Sequence, residues 1–194
     1  MILFPNCKIN LGLRILSKRA DGYHDLETLM YPVRGLCDAV EIISSDGEGV
    51  RFSASGLLVD APAQKNLCVK AYDALRRRYP LGGVQIHLHK VVPMGAGLGG
   101  GSADAAYVIR GLSDLFGLDM EVSEMESIAA EIGSDTAFFV SGRPALATGR
   151  GEVLTPVDFS LHGYRLVIVK PPFGVSTAQA YSQVRPSPAS GPRM

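Results

Sequence analysis

The residues best suited to chemistry lie in the stretch PMGAGLGGGSADAA, which runs from Pro93 to Ala106 and then becomes helix-forming. Glycines let a backbone adopt positive φ and approach a ligand closely. The free amides at the start of a helix point at an anion, and the helix dipole favours its negative charge. The stretch therefore predicts a phosphate-binding loop, in which Ser102 adds a hydroxyl to the phosphate or to its magnesium ion. A glycine-rich linker or a tight packing turn between strand and helix is the alternative without a ligand.

Three known phosphate-loop templates can be compared with this stretch. The Walker A loop ends in Gly-Lys-Ser/Thr, whereas here Gly100 is followed by Gly101. The dinucleotide pattern GxGxxG is met by Gly95, Gly97 and Gly100, but the helix is followed by another helix rather than by the required strand. The protein-kinase loop joins two strands and has no helix after it. The loop therefore predicts a phosphate ligand, but it does not identify the molecule that carries the phosphate.

Charge and composition limit the classes of partner. Lys plus Arg and Asp plus Glu are 19 each, so the chain lacks the positive charge typical of proteins that bind nucleic acid or anionic membranes. No apolar run reaches the roughly 18 residues of a membrane span, and the N-terminus becomes polar too early for a signal peptide. Cys7, Cys37 and Cys68 are scattered, which predicts buried thiols in a reducing compartment. We expect a cytoplasmic protein with a small-molecule substrate and no nucleic-acid or membrane partner.

The first part of the chain is predicted to form strands. CKINLGLRI alternates, with Lys8 and Asn10 on the polar face and Cys7, Ile9, Leu11, Leu13 and Ile15 on the apolar face. Asp-Gly in KRADGYHD indicates a turn. LETLMYPV, AVEII and VRF follow as further strands.

Helices and strands then mix, which predicts an α+β or α/β class. Asn66 is placed to cap a helix, and VQIHLHKV reads as the strand before the glycine loop. His87 and His89 face outward on that strand, where exposed histidines are commoner than a metal site. The loop helix is expected from about Ser102 to Phe116.

The rest of the chain carries weaker signals. Ser123 with Glu126 forms a capping-box pattern for the next helix. TAFFV, RPALATG and EVLTPV suggest short strands or turns, and YRLVIVK suggests a strand. Ser176 with Gln179 suggests one further helix cap, and RPSPASGPRM is typical of an unstructured tail.

The sequence resembles the GHMP kinases at the glycine loop, because Pro-Met-Gly-x-Gly-Leu-Gly-Gly-Gly-Ser opening a helix is similar to their ATP loop. NCKINLGL with RADGYHDLETL, and IGSDTAFFVSG with ATGRGEVL, resemble the branch that acts on cytidine-diphosphate-linked methylerythritol. The similarity runs from about Phe4 to about Ser176.

The resemblance implies an ATP- and Mg²⁺-dependent kinase for a substrate hydroxyl. It also implies the α+β GHMP kinase fold, with a ribosomal protein S5 domain 2-like N-terminal domain at 1–158. Residues 159–194 would begin the C-terminal α+β domain, because family members continue beyond this point.

The resemblance assigns roles to particular residues. Lys8 and Asp135 match the catalytic pair, in which the carboxylate accepts the hydroxyl proton and the lysine orients the nucleophile. Without the resemblance, Lys8 could be a solvated strand lysine and Asp135 a helix cap. Asn10, Tyr23 and His24 match substrate-binding positions, the aromatic ring stacking on the cytosine and the imidazole meeting its polar edge.

The ATP side is implied to be lined by two residues outside the loop and by the loop itself: Asn66, Lys90, Pro93, Met94, Gly95, Ala96, Gly97, Leu98, Gly99, Gly100, Gly101, Ser102 and Ala103. Two positions depart from the family pattern. Ala96 and Ala103 stand where the family often has Gly and Ser. Both are small, so we expect ATP binding to survive.

Overall fold

The computed structural model describes residues 1–59, 62–171, 177–184 and 186. In chain order its elements are β1 (Ile2–Leu3), β2 (Asn6–Lys18), β3 (His24–Cys37), β4 (Ala39–Ser45), β5 (Val50–Gly56), a 3₁₀ turn (Ala63–Lys65), α1 (Leu67–Arg76), β6 (Gly83–Lys90), α2 (Gly100–Phe116), α3 (Val122–Ile132), α4 (Thr136–Ser141), β7 (Ala145–Thr148), β8 (Val153–Pro156) and α5 (Thr177–Ser182). This mixture confirms the α+β class. Among the described residues, no helix is both long and apolar enough to cross a bilayer.

The strands lie in two four-stranded sheets. The first has the order β1-β4-β6-β5, in which β5 and β6 are parallel and the other pairs antiparallel. Parallel neighbours need a crossover connection, and α1 supplies it. The second sheet is antiparallel throughout, with the order β2-β3-β7-β8.

The main core lies between the first sheet and the helices. Val84, Ile86 and Leu88 alternate inward from β6 and are at most 2% exposed, as the sequence pattern predicts. They belong to the same hydrophobic cluster as the apolar faces of α1 and α2. This packing holds the end of β6 and the beginning of α2 against one core, and the glycine loop joins those two ends.

Strand β2 departs from strict alternation. Gly12 takes φ +66°, and the register with β3 shifts between Leu11 and Arg14. A bulge of this kind re-aims the side chains that follow it. Leu13, predicted to face inward, is 50% exposed as a result.

Three local predictions are corrected. TAFFV forms helix α4 rather than a strand, because a short run that is buried all round carries no period to distinguish the two. Helix α3 begins at Val122 with Glu121 as its N-cap, so Ser123 lies inside the first turn and not before it.

YRLVIVK, the third, forms no strand, since residues 164–170 pair with no neighbouring strand in the described part of the chain. Val167 and Val169 are more than 80% exposed there. Ser176 and all of the terminal stretch RPSPASGPRM except residue 186 lie outside the described residues.

Candidate functional site

The glycine loop connects β6 to α2 and presents bare backbone on one side. Gly95 and Gly97 have φ of +64° and +72°, and a Cβ at either position would meet nothing within 4 Å. These two glycines therefore serve the backbone conformation and leave space above it for a ligand. The first turn of α2 contains no acidic residue, so its free amides face that space without a competing negative charge.

The other end of the loop is tightly packed. Gly99 is the N-cap of α2 with φ +70°, and a Cβ there would lie 2.8 Å from the ring of Phe139 and 3.1 Å from Cγ of Lys8. A Cβ at Gly100 would lie 2.9 Å from Nζ of Lys90. At both positions a Cβ would fall within 3.0 Å of another side chain, a distance that real Cβ atoms essentially never show, so glycine allows this close approach.

Lys8 and Asp135, predicted as a catalytic pair, are brought together beside the loop. Nζ of Lys8 lies 3.1 Å from Oδ2 of Asp135, and Lys8 is only 5% exposed. The backbone amide of Lys8 donates to the carbonyl of Leu98 at 2.9 Å, which joins β2 directly to the glycine loop. Lys8 is therefore not a solvated strand lysine. Asp135 occupies the N-cap position of α4, but its side chain makes no cap hydrogen bond.

Asn10 extends this group on the same strand. Nζ of Lys8 donates to Oδ1 of Asn10, and Nδ2 of Asn10 donates to Oγ1 of Thr28 at 3.2 Å. Thr28 is fully buried on β3 and also donates to the carbonyl of Leu11. The chain of bonds orients the amide of Asn10 and, through it, the Lys8 ammonium.

The segment DGYH lies at the turn between β2 and β3. His24 begins β3 and is 8% exposed, while Tyr23 is 57% exposed. The guanidinium of Arg150 lies 5.0 Å from the Tyr23 ring centroid, and the ring of Tyr181 on α5 lies 5.3 Å from that of His24. Burial and then the negative charge of Asp135 raise the pKa of Tyr181. His24 and Tyr181 therefore lie together near Asp135, whereas Tyr23 lies beside Arg150.

The loop segment that contains Arg150 closes this side of the site. Leu26 donates its amide to the carbonyl of Gly149 at 2.7 Å, and a Cβ at Gly151 would lie 3.9 Å from Oδ1 of Asp135. Glu152 accepts from the amide and the guanidinium of Arg150. The segment ATGRGEVL thus lies against both β3, at Leu26, and the carboxylate of Asp135.

Three residues predicted on the ATP side make contacts within the fold. Asn66 caps α1 by accepting from the amide of Cys68 at 2.9 Å, so its side-chain oxygen already has a partner. Leu98 and Ala103 are buried, which leaves their backbone rather than their side chains to face a nucleotide.

Lys90 also differs from its prediction. It is 2% exposed, and its ammonium lies beneath the loop with Asp38 at 2.5 Å and Asp104 at 2.8 Å. Its side chain does not line the open side of the loop.

The two outward histidines of β6 are bonded to serines of β5. Both ring nitrogens of His87 contact serine hydroxyls, those of Ser53 and Ser55, at 2.8 Å, and Nδ1 of His89 contacts Ser55 at 2.9 Å. Within the described residues no group of three or more His, Cys, Asp or Glu side chains could hold a metal ion. These hydrogen bonds join β6 to its parallel neighbour β5.

Sequence reasoning assigned no role to Asp38, Asp104, Arg150 or Tyr181. Asp104 could have been recognised from the sequence, because it is an acidic residue among the small and apolar residues of α2. In the structure it is 2% exposed. Tyr181 carried no such signal, since its contact with His24 joins two distant parts of the chain.

Comparison with known proteins identifies the family of the chain. Residues 66–143 match the family described as the GHMP kinases N terminal domain. The chain is 51% identical over 187 residues to a 4-diphosphocytidyl-2-C-methyl-D-erythritol kinase of Parabacteroides distasonis, and 48% identical over 188 residues to one of Bacteroides fragilis. Each match covers 96% of this chain and 68% of the relative.

Solved structures give the same family. A crystal structure of 4-(cytidine 5'-diphospho)-2C-methyl-D-erythritol kinase superposes with a TM-score of 0.71 at 32% identity, covering 96% of this chain and 74% of that one. Homoserine kinase from Cytophaga hutchinsonii shares the fold, with a TM-score of 0.64 at 22% identity over 98% of this chain and 61% of that one. With its glycine loop, its Lys8–Asp135 pair and these relatives, the chain belongs to the GHMP kinase family, in the group of the 4-diphosphocytidyl-2-C-methyl-D-erythritol kinases.

Proposed function

We propose that this protein is an ATP-dependent kinase for the 2-hydroxyl of 4-diphosphocytidyl-2-C-methyl-D-erythritol, in the non-mevalonate route to isoprenoids. The observation that carries the proposal is the Lys8–Asp135 ion pair at 3.1 Å, held against the glycine loop by the Lys8 amide. A carboxylate next to a phosphate-binding loop is where phosphoryl transfer to an alcohol needs a base. The names of the curated relatives support the choice of substrate.

The loop residues fit the phosphates of ATP. Gly95 and Gly97 leave open space above the backbone, and the amides at the start of α2 point towards it. The hydroxyl of Ser102, in the first turn of α2, would bind a phosphate oxygen or Mg²⁺. Bound with ATP, Mg²⁺ would neutralise charge on the phosphates.

The protein's own groups would then act on the acceptor. Asp135 would accept the proton of the substrate hydroxyl. The hydroxyl oxygen would bond to the γ-phosphorus of ATP, and the bond from that phosphorus to the bridging oxygen of ADP would break. Lys8 lies between Asp135 and Asn10 and would hold the hydroxyl in line. Because the transition state is loose, positioning and charge neutralisation supply most of the rate enhancement.

The acceptor side suits a cytidine nucleotide. Tyr23 and Tyr181 each offer a ring face for a pyrimidine, and His24, 5.3 Å from the Tyr181 ring, offers a polar edge. For a base to stack on Tyr23, it would have to displace or share the face now covered by Arg150.

A competition assay tests the proposal. ADP release by the chain would be measured with MgATP and with 4-diphosphocytidyl-methylerythritol, mevalonate or homoserine as acceptor. We expect turnover with the cytidine-linked alcohol alone. Preference for mevalonate or homoserine would assign the protein to another branch of the family. ATP binding without turnover on any acceptor would make it a nucleotide-binding module, the second function that the sequence leaves open.

We also place the activity in the cytoplasm. Cys7, Cys37 and Cys68 are free thiols, as expected in a reducing compartment. Cell fractionation with detection of the protein would test this placement, and recovery in the membrane or an extracytoplasmic fraction would contradict it.

A further inference from the structure

Three charged side chains are buried together beneath the glycine loop. Lys90 at the end of β6, Asp38 just before β4 and Asp104 in α2 are each at most 2% exposed. Nζ of Lys90 lies 2.5 Å from Oδ2 of Asp38 and 2.8 Å from Oδ2 of Asp104. We call these residues the buried triad.

The buried triad joins the two ends of the loop. Oδ1 of Asp38 accepts from the amides of Val91 and Val92, at 2.6 and 2.7 Å, where the chain leaves β6 and enters the loop. Asp104 lies one turn into the helix that begins where the loop ends. Lys90 bonds to both carboxylates and also packs directly under Gly100.

Stability alone does not account for this arrangement. Burying charges costs desolvation that their attraction often fails to recover, and apolar residues of similar volume pack as well or better. Oδ1 of Asp104 has no hydrogen-bond partner, and burial raises the pKa of this carboxyl to about 7. Directional hydrogen bonds and ion pairs fix the spacing between the groups they join, whereas apolar packing does not.

We propose that Lys90, Asp38 and Asp104 are positioning residues that set the affinity for MgATP by fixing the spacing between the two ends of the glycine loop. None of the three would touch the nucleotide. The loop amides bind phosphate only while the entry at Val91 and Val92 and the exit at Gly100 keep their separation. The inference rests on the proposed function, because it assumes that this loop holds ATP.

Substitutions at Asp104 separate positioning from folding. Asp104→Ala removes the bond that connects the triad to α2, whereas Asp104→Asn keeps an oxygen that can accept from Lys90. The dissociation constants of MgATP and of 4-diphosphocytidyl-methylerythritol would be measured by isothermal titration calorimetry, with Tm recorded for each variant. We expect Asp104→Ala to weaken MgATP binding at least tenfold and acceptor binding less than twofold. Asp104→Asn should stay within about threefold of wild type for both ligands.

Leu112→Ala is the matched control. Leu112 is fully buried on the same helix, two turns further along. Its side chain has no polar group that could bond to the triad. It should lower Tm and leave the affinity for MgATP unchanged. If Leu112→Ala weakens MgATP binding as much as Asp104→Ala, or if Asp104→Ala weakens both ligands equally, the triad acts only on stability and the inference is wrong.

A second pair of variants applies if Asp104→Ala does not fold. In Asp38 one carboxylate oxygen accepts from Lys90 and the other from the amides of Val91 and Val92. An asparagine has only one acceptor oxygen, so Asp38→Asn loses one of these two sets of bonds. Asp104→Asn keeps its single bond to Lys90, because only one oxygen of Asp104 has a partner. Asp38→Asn should therefore bind MgATP more weakly than Asp104→Asn, and equal affinities would overturn the inference. A wild-type protein that binds no MgATP would overturn the proposed function as well. Wild-type binding that none of these variants changes would overturn this inference alone.

Discussion

The Asp135→Asn substitution separates catalysis from folding at the proposed site. Oδ2 of Asp135 lies 3.1 Å from Nζ of Lys8, and an asparagine oxygen at that position can still accept from the ammonium. The change keeps the size and the hydrogen bond of the side chain. It removes only the negative charge and the ability to accept a proton.

The two expected magnitudes differ widely. A positioned general base contributes roughly 10²–10⁴-fold to a rate, which corresponds to about 3–5 kcal/mol of activation free energy. The ion pair contributes much less to stability, because the Asp135 side chain is 32% exposed and solvent screens its charge. We expect a loss of about 1 kcal/mol, or about 2–4 °C in Tm for a chain of this length.

The assay measures kcat for ADP release and Tm on the same preparations. Asp114→Asn, an identical chemical change at an exposed position on α2, is the control and should alter neither quantity. Asp135→Asn should lower kcat at least a hundredfold while the protein remains folded at the assay temperature. Turnover within tenfold of wild type would refute the assignment of Asp135 as the base. A fall in kcat that only follows the folded fraction would refute it equally.

Three further predictions concern stability. Gly99→Ala forces a Cβ into a left-handed conformation 2.8 Å from the Phe139 ring, which should cost about 2–5 kcal/mol in urea unfolding, and an unchanged midpoint would contradict that packing. Burial raises the pKa of Asp104 from an ordinary 3.8 to about 7. Its protonated form therefore contributes fully to the free energy of unfolding below about pH 4, and this contribution is lost as the pH rises through 7. The free energy of unfolding of the wild type relative to Asp104→Asn should therefore fall between pH 4 and 8, and a difference that is independent of pH would argue against the raised pKa. Asn66→Ala removes the acceptor for the Cys68 amide and should cost about 0.5–2 kcal/mol, seen as a lower Tm that Asn66→Ser largely restores; equal Tm values for all three proteins would exclude the cap.

Elements with strong local patterns were predictable from the chain. The alternation of Val84, Ile86 and Leu88 predicts β6, and Asn66 predicts the start of α1. The glycine loop followed by an apolar helix predicts a phosphate site without further information. Each of these signals depends on residues within a few positions of one another, so no knowledge of distant contacts is needed.

Predictions failed where the pattern was short or the partner distant. TAFFV is buried at every position, so it carries no period that distinguishes the helix it forms from a strand. YRLVIVK has strand-forming residues, but a strand exists only with a neighbour to receive its hydrogen bonds. Leu13 turns outward because Gly12 breaks the register of β2 with β3.

The residue types of the site were present in the sequence, and their partners were decided by the tertiary structure. The motifs singled out Lys8 and Asp135, yet only the packing of β2 against the loop and α4 makes them an ion pair. Lys90 was predicted to meet ATP, but two carboxylates from distant segments hold it beneath the loop. A charged side chain is exposed or buried according to which opposite charge the fold brings within about 3 Å, and that depends on contacts that no local pattern contains.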